Sequence, residues 1–241
     1  MLFRSAKSLA ASGFEGHKVL CVFGDDNGMT SELNKLGIEV YPLRALYPYE
    51  NICVSRFEAY YRILDAFPEQ LNNVIATDVT DVVFQHDPSL YLQLNCWGNR
   101  PFILNSSENV AYKDEAWGAN NINLAFGALA FERMRNWTII NAGVMAGSAN
   151  MMKELFFAIH SMCIGKTQHV MGGGGPDQAA YNIIMSLEPF TVYKHFVGHD
   201  SGWACHVGTV ADPFKDFSHV AIDPLPIFRS EEHTSELQSR L

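Results

Sequence analysis

Two carboxylates, Asp78 and Asp81, lie three positions apart directly after the apolar run that ends at Ala76. Such a pair can place oxygen atoms on one hard divalent cation and leave part of the cation's shell for water and substrate phosphate. A cation held there would act as a Lewis acid and stabilise the charge on a departing diphosphate. The same two residues could also simply be solvated in a turn, so the pair alone does not decide between binding and structure.

Two later segments combine small residues with hydrogen-bonding side chains. Residues 140–145 (INAGVM) contain Asn141, which offers both a donor and an acceptor, beside Ala142 and Gly143, where the chain can approach a ligand closely. Asp177 and Gln178 begin a predicted helix after Gly-Pro. An acid at that place can accept hydrogen bonds from hydroxyl groups, or it can only complement the helix dipole.

The hydrophobic pattern predicts strands that alternate with helices. The predicted strands cover residues 17–23, 38–43, 73–76 and 138–146, and the predicted helices cover residues 30–36, 55–67 (capped by Ser55), 150–163 and 177–187. Residues 105–123, which include Glu108 and Trp117, are predicted to form a polar loop that covers the acceptor. This alternation predicts an α/β chain with a largely parallel sheet, in which ligands bind at the carboxyl ends of the strands.

Three stretches resemble, in the same order, the nucleotide-diphospho-sugar glycosyltransferases of the GT-A type. They are residues 77–88 (TDVTDVVFQHDP), 140–145 and 175–182 (GPDQAAYN). In that family an acidic motif ends a strand, and an aromatic residue and Asp-Pro follow it. The spacing from Asp81 to Pro88 matches that pattern. The chain departs from the strict DxD form because Val79 stands two before Asp81, and the partner acid is Asp78.

The resemblance implies a GT-A fold, with a Rossmann-like, mostly parallel central sheet between flanking helices, here expected to lack its first strand. It also implies transfer of a hexose-type sugar from a nucleoside-diphosphate donor, expected to be a UDP-sugar, to a glycan or glycoprotein acceptor, with Mn²⁺ or Mg²⁺ as cofactor. The roles implied for individual residues are metal ligation by Asp78, Asp81 and either His206 or His195; donor binding by Arg56, Asp78, Ala142, Gly143 and Gln178; and catalysis by Asn141 and Asp177.

Composition excludes some classes of partner. The net charge of -9 argues against a nucleic-acid-binding protein, which needs a basic surface to displace counterions. The five cysteines show no CxxC pair and no zinc-like spacing. No apolar run approaches the length of a membrane span, so no membrane segment is expected within this sequence.

Both ends of the chain look like translated sequencing adapter. If residues 229–232 (RSEE) are encoded by AGATCGGAAGAG, the reverse complement of that DNA encodes Leu-Phe-Arg-Ser, which is residues 2–5. An insert between two adapters would show this inverted pairing. Residues 1–5 and 229–241 are therefore expected to be non-native, and residues 6–228 to form a single domain that is a fragment of a glycosyltransferase.

Two other functions stay open from the sequence. A sugar-phosphate nucleotidyltransferase uses a similar sheet and metal site, but begins with a glycine-rich basic loop. A catalytically silent carbohydrate-binding protein of the same fold would be indifferent to metal and to loss of the Asp81 charge.

Overall fold

The computed structural model describes residues 2–23, 28–43, 51–67, 71–79, 82–95, 100–169, 174–204 and 206. The first half of the chain forms α1 (Leu2–Ala11), β1 (Val19–Phe23), α2 (Met29–Lys35), β2 (Glu39–Leu43), α3 (Ile52–Ala66), β3 (Asn73–Thr77) and α4 (Pro88–Leu94). The second half forms β4 (Ile103–Ala111), α5 (Ala116–Phe126), α6 (Ala128–Met134), β5 (Thr138–Ser148), α7 (Ala149–Cys163), α8 (Asp177–Met185), α9 (Phe190–Tyr193) and β6 (Lys194–Val197). The predicted α/β class is confirmed.

Within the described ranges, the strands form two separate sheets. β1 and β2 pair in parallel, and β3, β5, β4 and β6 form a second sheet in that spatial order. Within the second sheet β5 is antiparallel to both β3 and β4, whereas β4 and β6 are parallel. The sheet is therefore mixed, because β5 reverses the direction of the ladder on both of its edges.

The main hydrophobic core lies between the second sheet and helices α3, α7 and α8. Phe57 of α3 packs against Phe156 of α7 with ring centroids 5.9 Å apart, and Met145 of β5 and Tyr181 of α8 are fully buried beside them. A smaller cluster joins Ala6 of α1 to Leu33 and Ile38. This packing fixes α3 against the sheet and so positions the arginine that α3 carries.

The helix predicted over residues 55–67 begins earlier than expected, so its predicted start is wrong. Helix α3 begins at Ile52, and its cap is Asn51, whose side chain accepts a hydrogen bond from the Cys53 amide at 2.9 Å. Ser55 lies buried inside the helix instead of capping it. The extra turn forms because Val54 is also buried against the core and because Asn51 supplies the cap one turn earlier.

The predicted polar loop over residues 105–123 is also wrong. The segment forms β4, a short 3₁₀ turn and most of α5. Asn105 is completely buried in β4, where its amide nitrogen donates to the His195 carbonyl at 3.1 Å and its carbonyl accepts from the Tyr181 hydroxyl. Polar side chains can occupy a central strand when their hydrogen bonds are satisfied in this way.

Among the described residues, no helix has the length and apolar character needed to cross a lipid bilayer.

Candidate functional site

The site begins where β3 ends against β5. The Asp78 amide donates to the Gly143 carbonyl at 2.8 Å, which continues the β3–β5 ladder by one residue. A Cβ atom at Gly143 would lie 2.7 Å from Asp78 Oδ2 and 2.8 Å from Asn141 Oδ1. The absence of a side chain at this position therefore lets the Asp78 carboxylate lie across β5 beside Asn141.

Arg56 joins two of the predicted site residues. Its Nη1 donates to Asp78 Oδ1, and its Nη2 donates to Asp177 Oδ2 at 2.8 Å. The guanidinium is further held by the carbonyls of Cys53 (3.1 Å from Nε) and Ala142 (3.4 Å from Nη2). One cation from α3 thus pairs with a carboxylate at the end of β3 and with another at the start of α8.

This ion-pair triad is largely buried. The side chains of Arg56, Asp78 and Asp177 are 16%, 35% and 7% exposed. Burial lowers the pKa of Arg56, but the Asp177 carboxylate and Tyr60 raise it, and the net direction is upward. The arginine is therefore a permanent positive charge at the site.

A second network lies along β5. Asn141 Nδ2 and Gln178 Nε2 both donate to Glu108 Oε1, at 2.9 Å and 3.2 Å. Their amide oxygens accept from the backbone of β5: Asn141 Oδ1 from the Gly143 amide at 2.6 Å, and Gln178 Oε1 from the Ala142 amide at 3.2 Å. The structure therefore brings together all of the residues predicted from the two later segments.

Glu108 is the site residue whose position the sequence did not predict. It is only 7% exposed, and burial raises the pKa of its carboxyl group against the opposing hydrogen bond from Asn141. The sequence carried one usable signal, because the apolar run 102–104 that precedes the polar residues indicates the start of a strand. Had that strand been extended to residue 108, the carboxylate would have been placed on the sheet.

The candidate histidines occupy two different places. The His206 amide donates to His199 Nδ1 at 3.2 Å, and His199 Nε2 lies 3.3 Å from the Glu108 carbonyl oxygen. His195 lies in β6 with its ring 6.5 Å from that of Phe102. Burial, with a smaller contribution from His199, lowers the pKa of His206 to about 4, and burial also lowers the pKa of His195. Both rings are therefore neutral at physiological pH, the state in which imidazole binds metals.

The residues described here do not by themselves make a metal centre. No group of three or more His, Cys, Asp or Glu side chains suited to a metal ion occurs among them. Asp78 supplies oxygens of the right kind, but they lie against Arg56, and the predicted ligand Asp81 lies outside the described residues. The geometry shown is that of two carboxylates paired with one guanidinium.

No model of a known protein family matches this chain, and no curated protein matches it.

Proposed function

We propose that the chain belongs to a GT-A type glycosyltransferase that moves a hexose from a UDP-sugar to a glycan or protein acceptor. The observation that carries this proposal is the Arg56–Asp78–Asp177 triad at the end of β3, next to the backbone of Ala142 and Gly143. In an α/β sheet the end of a strand is the usual place for a ligand. A buried arginine between two carboxylates also offers the planar donor set that binds phosphate.

In this proposal Arg56 exchanges one of its carboxylate contacts for oxygens of the donor diphosphate. The guanidinium can make this exchange because it stays charged and because its N–H donors suit a bidentate oxyanion such as a phosphate. Asp78 is the partner that is released more easily, since its side chain is 35% exposed whereas that of Asp177 is 7% exposed. A divalent cation, Mn²⁺ or Mg²⁺, would supply Lewis-acid stabilisation of the diphosphate, with Asp78, Asp81 and His206 or His195 as its proposed ligands.

The sugar would lie along β5. Asn141 and Gln178, held in place by Glu108, would donate their remaining amide hydrogens to sugar hydroxyls, and the bare backbone at Gly143 would allow close approach. Asp177 would accept a hydrogen bond from a hydroxyl group of sugar or acceptor. The transfer breaks the bond between the anomeric carbon and the diphosphate, forms a bond to the acceptor oxygen, and releases UDP and a proton.

The test is release of UDP from a panel of UDP-hexoses in the presence of Mn²⁺. We expect Asp78→Asn to lower the rate by about two orders of magnitude, in the range seen when one group that stabilises transition-state charge is removed. Asp65→Asn is the matched control, because Asp65 is an exposed aspartate paired with Lys153. Equal rates for the wild type and Asp78→Asn would contradict the proposal.

The same assay separates the alternatives. Pyrophosphate release from UTP and a sugar phosphate, without release of UDP from UDP-hexoses, would identify a nucleotidyltransferase. Binding of carbohydrate that is indifferent to metal and to Asp78→Asn would identify a catalytically silent binding protein.

A further inference from the structure

The network of Glu108, Asn141 and Gln178 has a fixed orientation. Oε1 of Glu108 accepts from Asn141 Nδ2 at 2.9 Å and from Gln178 Nε2 at 3.2 Å. The amide oxygens of the same two side chains accept from backbone N–H groups of β5. Rotating either amide by half a turn would point its oxygen at the carboxylate and its N–H groups at a backbone N–H. Because both contacts would then be repulsive, each amide has one stable orientation.

This network leaves hydrogen-bonding capacity unused among the residues that the structure describes. A carboxamide carries two N–H donors, and Asn141 and Gln178 each donate only one of them, to Glu108. The other oxygen of that carboxylate, Oε2, accepts from no described residue, whereas Oε1 accepts twice. Since the two oxygens share one carbon, Oε2 lies next to both amides. Two donors and one acceptor are therefore available close together.

The network is shielded from water at the carboxylate and more open at the amides. Glu108 is only 7% exposed, whereas Asn141 and Gln178 are half-buried. A carboxylate oxygen that has lost most of its contact with water and has no protein donor is costly to leave without a hydrogen bond. A ligand that reaches the network past the amides and donates to Oε2 would gain affinity for this reason.

The unused groups suit a hydroxyl group. A hydroxyl can donate its hydrogen to Oε2 and accept from an amide N–H at the same time. A phosphate oxygen could accept from the amides, but the negative charge of Glu108 would repel it. An apolar group would satisfy neither kind of partner. The network therefore favours a compound that carries hydroxyl groups over an anion.

One residue of β5 connects this network to the ion-pair triad. The Ala142 carbonyl accepts from Arg56 Nη2 at 3.4 Å, and the Ala142 amide donates to Gln178 Oε1 at 3.2 Å. Asp177, which bonds to Arg56, directly precedes Gln178 in α8. The charged end and the hydroxyl end of one substrate can therefore bind to neighbouring groups.

We propose that Glu108 determines specificity for one hexose hydroxyl, whose hydrogen Oε2 accepts while an amide N–H of Asn141 or Gln178 donates to its oxygen. This inference rests on the proposed function, because it assigns the hydroxyl end of the sugar to the network and leaves the diphosphate to Arg56. The donor hexose and the acceptor glycan both carry such hydroxyls, so the two sources are separated by experiment.

Replacement of single hydroxyls by fluorine tests the proposal on the wild type. Fluorine has no hydrogen to donate, so it would leave Oε2 without a partner, whereas a hydroxyl that only accepts from an amide tolerates fluorine better. We expect fluorine at one position of the hexose to weaken binding by roughly tenfold to a hundredfold, as much as removal of the hydroxyl does. The other positions should show smaller losses with fluorine than with hydrogen.

The probes are two series, measured by titration calorimetry on the full chain with Mn²⁺. The first contains UDP-glucose and UDP-galactose, with each hydroxyl of the hexose replaced in turn by hydrogen or fluorine. The second contains methyl glucoside and methyl galactoside with the same replacements, titrated in the presence of UDP. A fluorine-sensitive position in the first series assigns the network to the donor sugar, and one in the second series assigns it to the acceptor.

Glu108→Gln should abolish the discrimination. Glutamine keeps one oxygen that can accept from both amides, but it places an N–H donor where Oε2 was, and fluorine can accept from that donor. The preference for hydroxyl over fluorine should fall to about one or reverse. Glu115→Gln is the control, because it removes the nearby charge that acts on Glu108 and leaves the Glu108 carboxylate in place. The hydroxyl preference should persist in this control.

Two outcomes would reject the inference alone. One is a wild type that binds UDP with Mn²⁺ but tolerates fluorine at every hexose position in both series. The other is a folded Glu108→Gln protein that keeps the wild-type preference. If the Glu108→Gln protein does not fold, the wild-type series still decides. A wild type that binds neither UDP nor any hexose would reject the inference together with the proposed function.

Discussion

Arg56 is the positive charge that pairs with both carboxylates of the candidate site. Its guanidinium bonds to Asp78 and Asp177, and the Asp177 side chain is only 7% exposed. A buried ion pair contributes little net stability compared with an apolar replacement, but removing one partner leaves a buried charge without compensation. The triad is therefore sensitive to loss of the arginine in a way that a surface pair is not.

Arg56→Gln should destabilise the fold by about 3–5 kcal/mol, the range for breaking a buried pair. Urea denaturation measures this change through the transition midpoint. Arg62→Gln is the control on the same helix, because Arg62 and Glu58 form a more exposed pair one helical turn apart, and its loss should cost about 0.5 kcal/mol or less. Equal effects of the two substitutions would show that the triad is not a buried ion pair.

Glu108 should make stability depend on pH. Burial raises the pKa of its carboxyl group in the folded state above the value in the unfolded chain, so the native state holds the proton more tightly. The stabilising contribution of this group is therefore complete at low pH and is lost as pH rises through the folded pKa. The sign is opposite to that of a carboxylate stabilised by an ion pair.

The free energy of unfolding of the wild type should therefore rise relative to that of Glu108→Gln as pH falls through the raised pKa toward the ordinary pKa of a glutamate. Glutamine keeps an oxygen that can accept from Asn141 and Gln178, so the substitution removes the titration with little change in packing. Glu132→Gln, an exposed residue, serves as the control. A wild-type-to-mutant difference that is the same at both ends of the pH range would count against a buried, titrating Glu108.

Residue types at short spacing indicated side chains that lie together in the structure. Asp78 follows β3, Asn141 and Gly143 lie within β5, and Asp177 begins α8, and each of these elements has a strong local pattern. The contact of Arg56 with both carboxylates could not be predicted, since it depends on the angle at which α3 packs on the sheet.

At the scale of the elements, β5 is where the site and the core meet. Gly143 faces the flexible ends of Asp78 and Asn141, whereas a Cβ atom at Gly147 would lie 2.5 Å from the Phe102 carbonyl oxygen and 2.9 Å from Met152 Sδ. Side-chain ends can move away from an added methyl group, but a backbone carbonyl in a sheet cannot. Gly143 and Gly147, both in β5, are therefore needed for different reasons: Gly143 makes room for side chains of the site, and Gly147 makes room for the core.

Gly147→Ala should cost about 1–3 kcal/mol through overpacking of the core, and Gly143→Ala should cost less. Gly143→Ala should instead abolish the response to Mn²⁺ and UDP, because the methyl group displaces the Asp78 carboxylate. Both variants are compared by thermal unfolding with and without ligands. Retained ligand response in Gly143→Ala, at normal stability, would show that the Asp78 carboxylate need not lie over β5.

Local patterns predicted the elements better than their arrangement. Apolar runs indicated β1, β2, β3 and β5, and the helical stripe indicated α3, since these signals lie within the element itself. The antiparallel direction of β5 and the buried polar strand β4 depend on partners distant in sequence. Asn105, for example, is satisfied by groups from β6 and α8.

At the scale of the whole molecule, the proposed function requires an anionic ligand to bind to a chain whose net charge is -9. In the proposed function, a divalent cation beside the guanidinium of Arg56 would screen the charge of the diphosphate locally. The response to nucleotide should then require the metal. The negative net charge is also the reason why the chain is not expected to bind nucleic acid.

The most direct test of the donor site is a thermal-unfolding scan with Mn²⁺ alone, with UDP alone and with both, on the wild type, Asp78→Asn and the control Asp65→Asn. The proposed donor site predicts a shift of the unfolding midpoint that requires metal and UDP together. Ligand at about a hundred times its dissociation constant adds roughly 2.7 kcal/mol, or several degrees for a domain of this size. The shift should persist in Asp65→Asn and vanish in Asp78→Asn. A folded wild type that shows no shift, or an equal shift in Asp78→Asn, would contradict a nucleotide-sugar site at the end of β3.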